Sequence, residues 1–371
     1  MKIHQSKIEK LISELCPNGV EFKELGEVCK IKTGESVSKT IIDQTPGKYP
    51  VINSGKEPLG YIDRFNTEND PIGITSRGAG VGSVTWCEGK YFRGNLNYSV
   101  TINDFNQLNI RFLYHLLMQD RTNIKQLATY QGIPALNKSK LEKIKIPIPP
   151  LPVQQEIVKI LDNFTKLEAE LEAELEARKK QYEYYRDELL TFDDGVEHKS
   201  LGEIATITRG VRLVRSQLAE NGKYPVYQNS MTPLGYYEAS NCPANTTFVI
   251  SAGAAGEIGY SAVDFWAADD CFYFVCPEQL QSRFLYYALL CKQNYLFSRV
   301  RRASVPRLAR SVVERIKIPV PPLAEQERIV AILDKFDALV NDISAGLPAE
   351  LNARRKQYEY YRNKLLTFNG K

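Results

Sequence analysis

Residues 144–192 read IKIPIPPLPVQQEIVKILDNFTKLEAELEAELEARKKQYEYYRDELLTF, and residues 316–368 read IKIPVPPLAEQERIVAILDKFDALVNDISAGLPAELNARRKQYEYYRNKLLTF. The heptapeptide KQYEYYR is identical at 180–186 and 356–362. Each copy has a proline-rich lead-in, a long stretch with apolar residues three and four apart, and a Leu-Leu-Thr-Phe exit. That periodicity predicts a helix. Repetition on this scale sets the architecture before any local reading: globular unit, long helix, globular unit, long helix.

In the first copy the apolar stripe is Val153, Ile157, Ile160, Phe164, Leu167, Leu171, Leu175, Tyr182, Tyr185, Leu189 and Phe192. In the second it is Ile329, Ile332, Phe336, Leu339, Ile343, Leu347, Leu351, Tyr358, Tyr361 and Leu365. Both read as coiled-coil seams, and about 40 residues at 1.5 Å each make a rod of roughly 60 Å. The offset between copies is 172 before the helix middle and 176 after it, so the second carries a four-residue surplus near Gly346–Pro348. Four residues inserted into a heptad pattern form a stutter. Gly and Pro at that point predict a kink or a break, with a surface loop of no mechanical role as the other reading.

Working outward, the repeat proves larger than the helix. GVEFKELGEV at 19–28 returns as GVEHKSLGEI at 195–204, GKYPV at 47–51 as 222–226, PLGY at 58–61 as 233–236, and RFLY at 111–114 as 283–286. Gly, Pro, Asn and Asp punctuate both units every 8–12 residues, leaving short β-rich runs such as Val28–Lys32, Tyr49–Ile52, Gly73–Ser76 and Ser83–Trp86. Residues 1–16 have helical spacing and end at Pro17-Asn18-Gly19. The expected fold class is α+β: two homologous globular domains separated by two long antiparallel helices that form a coiled coil, with a pseudo-two-fold internal repeat. The expected boundaries are 1–21 (N-terminal helix and turn), 22–150 (first domain), 151–194 (central spacer helix), 195–322 (second domain) and 323–371 (C-terminal spacer helix). A pseudo-two-fold arrangement would bring residues 1–16 close to the end of the second helix.

The chain of 371 residues has 43% hydrophobic and 25% charged residues, the mix of a water-soluble protein. It has no apolar run of 18 residues and no secretory-signal core at its start, so membrane and secreted classes are not expected. Seven cysteines without a CxxC and only three histidines point to a reducing cytoplasm rather than a disulfide framework or a zinc site. Residues 22–150 hold 17 Lys/Arg against 12 Asp/Glu, residues 195–322 hold 14 against 10, and residues 151–194 hold 6 against 12. Two basic units joined by an acidic helix suit a polyanion held at two places.

Catalytic signatures are missing. Gly78-Ala79-Gly80-Val81-Gly82 and Gly253-Ala254-Ala255-Gly256 match no phosphate-binding pattern and read as tight turns between strands. No HExxH, GxSxG or Cys/His cluster occurs, and Asp269-Asp270 aligns with Gly94-Asn95, so no carboxylate site is shared. The reading is a non-catalytic chain with neither a catalytic nor a metal site. Candidates for DNA contact in the first unit are Asn53, Ser54, Lys56, Arg77, Arg93, Asn95, Tyr130 and Gln131. In the second they are Arg209, Arg212, Arg215, Gln228, Asn229, Arg299, Arg301, Arg302, Arg307 and Arg310. Arginines suit phosphates and guanine, glutamine and asparagine suit adenine. The other reading of each is a solvated surface charge. Tyr184 and Tyr360 fall off the seam beside Arg186 and Arg362, a pattern suited to a partner protein, or equally to packing on the chain's own globular units.

The doubled signature IPIPPL…QQEIVKILDNF…RKKQYEYYRDELL, framing two units that each open on Leu-Gly-Glu, resembles the specificity subunits of Type I restriction–modification systems. The LEAELEAELEA run at 167–177 resembles the subfamily with a tandem tetrapeptide repeat in the first spacer helix. The resemblance implies that the two units are target recognition domains, each reading half of a bipartite site in double-stranded DNA. It also implies docking of two methyltransferase subunits and of restriction/translocase subunits. No cofactor is expected on this chain, with S-adenosylmethionine, ATP and Mg in the partners. Two rival readings stay open: a stand-alone double-headed nucleic-acid-binding protein without enzyme partners, and a purely structural tether.

Overall fold

A computed structural model describes residues 2–55, 57–193, 195–219, 222–342 and 344–370, with side chains from residue 7 onward. Lys56, Ile343 and the Ile3 side chain therefore lie outside the described residues. The chain divides into two compact units, one made of residues 1–170 and 351–371, the other of 171–350.

In the first unit Cys29–Thr33, Asn97–Ile102, Ile72–Thr75 and Val84–Trp86 form an antiparallel sheet in that order. A second sheet runs Tyr61–Ile62, Pro46–Ile52, Lys90–Arg93, Thr67–Glu68, and its central pair is parallel. The second unit repeats the plan. Its antiparallel sheet is Thr206–Arg209, Cys271–Val275, Thr246–Ile250, Ile258–Ser261, and its smaller sheet is Gly235–Tyr237, Tyr224–Tyr227, Trp266–Ala267, again with one parallel pair. Duplication is thus written in strand order as well as in sequence, and the α+β class holds in both units.

Each Leu-Gly-Glu opens a one-turn helix through a capping box. Glu27 accepts the Glu24 N–H at 2.6 Å, and Glu203 accepts the Ser200 N–H at 3.0 Å. The glycine turns fall between strands as expected, with Gly78 and Gly82 at φ of 96° and 77° and Gly253 and Gly256 at 81° and 93°. Cys29, Cys87, Cys242, Cys271, Cys276 and Cys291 are not in disulfides. Burial pushes the Cys29 and Cys242 thiols up to about 12, so both are protonated packing groups.

The long helices are α1 (Leu151–Leu189), α2 (Leu323–Asn341) and α3 (Leu347–Leu365). The first is continuous over 39 residues. The second copy is broken, which selects the break over the kink. At the joint Asp342 accepts N–H bonds from Ser344 and Ala345, and Gly346 donates to the Asp342 carbonyl at 3.0 Å. A Cβ on Gly346 would lie 2.4 Å from the Ala338 carbonyl oxygen, so only glycine fits there. The Gly346 carbonyl then accepts from Glu350, starting α3 with Pro348 in its first turn.

The single-seam expectation needs correction. Leu167 and Leu339 are exposed, whereas Leu161, Leu333 and Val340 are buried. Each helix packs against a globular domain as well as a second helix, and this widens its apolar stripe beyond a two-position seam. In the first unit Phe164 lies 5.6 Å from Tyr361 and 6.1 Å from Tyr358, and Glu168 bonds Arg355 at 2.6 Å. Numbers rise along α1 as they fall along α3, so these segments run antiparallel. In the second unit Tyr182 and Tyr185 pack on Phe336 at 6.5 and 5.6 Å.

Polar latches join each domain to its own helix. Gln154 is fully buried in the first turn of α1, where its amide oxygen accepts the Asn109 N–H at 2.8 Å. Its amide nitrogen donates to the carbonyls of Gln107 at 2.8 Å and Pro149 at 2.6 Å. Gln326 does the same with Gln281, Gln279 and Pro321, at 2.9, 2.9 and 2.8 Å. About two turns further along each long helix, Arg111 bonds Asp162 and Arg283 bonds Asp334, both at 2.7 Å. The two latches differ at two places: Arg283 also bonds Asp337 at 3.0 Å, where the first unit has Thr165. Fully buried His115 donates from Nε2 to Asp162 at 2.8 Å and accepts the Tyr358 hydroxyl at 3.3 Å, its pKa lowered by burial, whereas in the second unit Tyr287 donates to Asp334.

Candidate nucleic-acid interface

In the second unit a five-residue loop, 302–306, is closed by Arg301 and Arg307, which exchange N–H···O bonds of 2.9 and 3.1 Å. Its base is sewn to the glycine turn by Leu308 N–H to Ser251 at 2.8 Å and Gly253 N–H to the Pro306 carbonyl at 3.1 Å. That turn in turn receives Asn229, whose carbonyl accepts the Ala254 N–H at 2.9 Å. Ser251 donates to the Asp270 carbonyl at 2.7 Å, and Arg209 holds the neighbouring Asp269 carbonyl at 2.7 Å. The Gln228 carbonyl accepts the Cys271 thiol at 3.2 Å. Thus Arg209, Gln228, Asn229, Arg301, Arg302 and Arg307, scattered over 99 positions of sequence, converge on one edge of the fold.

All of these arginines are exposed. Arg299 lies over the Tyr295 ring at 5.1 Å, and Arg310 is held by Glu314 at 2.8 Å, so its charge is partly spent inside the protein. Arg212 and Arg215 stand exposed on a separate segment, anchored where Trp266 donates to the Val211 carbonyl at 2.9 Å.

The first unit builds the same edge with other side chains. Thr129 and Ala135 exchange bonds of 2.8 and 3.0 Å around the loop 130–134. Leu136 donates to Ser76 at 2.8 Å and Gly78 to the Pro134 carbonyl at 2.9 Å. Exposed Arg77 pairs with Ala135, and Asn95 is exposed on the turn between Lys90–Arg93 and Asn97–Ile102. Ser54 underlies the glycine turn: a Cβ on Gly80 would meet its carbonyl at 2.6 Å. Tyr130 and Gln131 are exposed on the loop, and the Tyr130 hydroxyl donates to the Lys125 carbonyl at 3.1 Å.

Three candidates are corrected. Arg93 is buried, and its guanidinium donates to the carbonyls of Ile72, Tyr98 and Asp70, to Asn97 and to the Tyr91 hydroxyl. It welds the two sheets of the first unit together and presents nothing to a ligand. Asn53 is buried too, its side chain accepting the Leu96 N–H at 2.9 Å. Arg362 is buried beside the Tyr358 ring, 5.2 Å away, and is a packing residue rather than a docking one. Arg186 is mostly covered, over the Tyr182 ring and bonded to Asp187 at 2.8 Å. Tyr184 and Tyr360 are 65% and 61% exposed, as their off-seam positions predict.

What the edge offers chemically is several guanidinium donors in the second unit, and the single guanidinium of Arg77 with amide and phenol groups in the first. Both sets suit phosphate oxygens and base edges. Among the described residues no cluster could hold a metal ion, and no helix is long and apolar enough to cross a membrane.

A family model described as the Type I restriction modification DNA specificity domain matches residues 17–177 and again 193–353. The EcoR124I/EcoR124II specificity subunit of Escherichia coli is 37% identical over 359 residues, covering 88% of this chain and 84% of that one. A Haemophilus influenzae protein classed with these subunits is 31% identical over the whole of both chains. The crystal structure of a Type I S subunit from M. genitalium has the same fold, with a TM-score of 0.70 at 23% identity over 94% of this chain and 97% of that one.

Proposed function

Because this chain belongs to the Type I restriction–modification family of non-catalytic DNA specificity subunits and carries the specificity domain twice, we propose that its two domains read the two halves of one bipartite DNA target. The observation that carries this reading is the pair of loops with the same closing hydrogen bonds and unlike side chains. Tyr130-Gln131-Gly132 stands where Arg302-Ala303-Ser304 stands. A common framework with exchanged polar groups is what two different half-sites require. The long helices would then set the distance between half-sites.

Two methyltransferase subunits would dock on the helices, with restriction/translocase subunits joining the assembly in the cytoplasm. S-adenosylmethionine, ATP and Mg would be held by those partners. The E. coli relative is itself named a specificity subunit of a restriction enzyme. Exposed Tyr184 and Tyr360, alike in both copies, are the proposed methyltransferase contacts. Tyr184→Ala combined with Tyr360→Ala should weaken co-purification with the methyltransferase subunit, and an unchanged complex in gel filtration would remove the tyrosines from that role.

Methylome sequencing of a host expressing the chain with its partners tests the main reading. The expected motif is two short half-sites around an unread gap. Adding one Leu-Glu-Ala-Glu unit within 167–177 lengthens α1 by about 6 Å and should widen the gap by about one or two base pairs. A continuous motif, or a gap unmoved by the insertion, would sink the ruler. Binding should also weaken steeply with salt, as phosphate contacts demand.

A further inference from the structure

The loops 130–134 and 302–306 change chemistry at their first three positions but not at the fourth. Ile133 and Val305 are 69% and 46% exposed, and each precedes a proline whose carbonyl is tied to the glycine turn. A single exposed aliphatic residue needs no explanation. An exposed β-branched residue kept at the same place in two diverged loops does, because it packs on neither fold's core.

The setting is stiff. Two hydrogen bonds close each loop, proline fixes the backbone after the tip, and β-branching restricts the side-chain rotamer. Cations flank the tip: exposed Arg77 pairs across from Ala135, and exposed Arg301, Arg302 and Arg307 surround Val305 in sequence. A rigid apolar point with arginine close by, Arg77 in the first unit and Arg301, Arg302 and Arg307 in the second, matches a polyanion whose apolar surfaces are the faces of its bases.

We infer that Ile133 and Val305 are wedges, each pressed against a base step of its own half-site and opening the stack there. This rests on the DNA-reading function proposed above. Keeping the tip while the neighbours change favours contact with a base face, which every base offers, over contact with a thymine methyl, which would tie the residue to one base. The wedge would be the sequence-independent part of each loop. The three residues before it would carry the reading.

The test uses the chain assembled with its methyltransferase subunits and a duplex bearing its methylated motif, with 2-aminopurine placed at successive positions. The intact complex should brighten the probe at one step in each half-site. Ile133→Ala should abolish the signal in the first half only and Val305→Ala in the second only, each with about ten-fold weaker binding. Ile133→Val, which keeps the β-branch, should keep both, and the methylated motif should stay unchanged. An altered motif would make the residue a base reader and overturn the wedge, as would unchanged signal and affinity. Lost assembly in the absence of DNA would assign the tip to a protein partner, with the same consequence. Failure of the intact complex to bind the duplex at all would instead overturn the DNA-reading function.

Discussion

Gln154→Leu is expected to destabilise the first unit by about 3–5 kcal/mol. The substitution nearly conserves volume, so packing is little changed. What it leaves behind is the Asn109 N–H and the Gln107 and Pro149 carbonyls, stripped of their partner around a residue with no exposure. Each buried backbone group left unpaired costs roughly 1–3 kcal/mol. Gln326→Leu should do the same to the second unit. Exposed Gln155 is the control, and Gln155→Leu should change stability by less than about 0.5 kcal/mol. Denaturant midpoints of the three variants decide the matter. Equal midpoints for Gln154→Leu and Gln155→Leu would show that water replaces the latch.

Gly346→Ala is the second large effect, expected at about 2–4 kcal/mol. The added Cβ meets the carbonyl oxygens of Ala338 and Leu339 at 2.4 and 2.6 Å, and both are backbone atoms of the last turn of α2. Neither can swing aside as a side-chain tip would. Gly195→Ala, where a Cβ would meet nothing within 4 Å, should be close to neutral. A drop in melting temperature confined to Gly346→Ala supports the tight joint, and equal melting would show that the joint relaxes freely.

Much of this fold was legible in the chain. The duplicated Leu-Gly-Glu, the glycine turns, the repeated Arg-Phe-Leu-Tyr and an interruption of the second helix near Gly346 all follow from local chemistry that acts wherever it occurs. The misreadings share a cause. Arg93, Asn53 and Arg362 read as surface groups in the sequence because their residue types are mostly solvated, whereas tertiary contacts bury them. Gln154 likewise reads as a solvated amide in the sequence. Its identity with Gln326 at the constant offset of 172, beside the apolar Ile157 and Ile329, was the available signal. Ile133-Pro134 and Val305-Pro306 recur at the same offset of 172, but the exposure of the two aliphatic side chains is set by the fold. The convergence of Arg209, Asn229 and Arg301 depends on strand order, which periodicity does not encode.

The broken second helix also bears on how the protein is made. The core of the first unit takes in Leu365 and Leu366, with Tyr358, Tyr361 and Phe368 packed against it. Those residues are translated after the whole of 171–350. At 5–20 residues per second that interval is roughly 10–40 s, during which Val153, Ile157, Leu161 and Phe164 lack their partner helix. The second unit is contiguous in sequence and can close as soon as it emerges, whereas the first, though synthesised earlier, finishes last. A premature stop or a protease cut near residue 350 would therefore damage the domain farthest from it in sequence and spare the adjacent one.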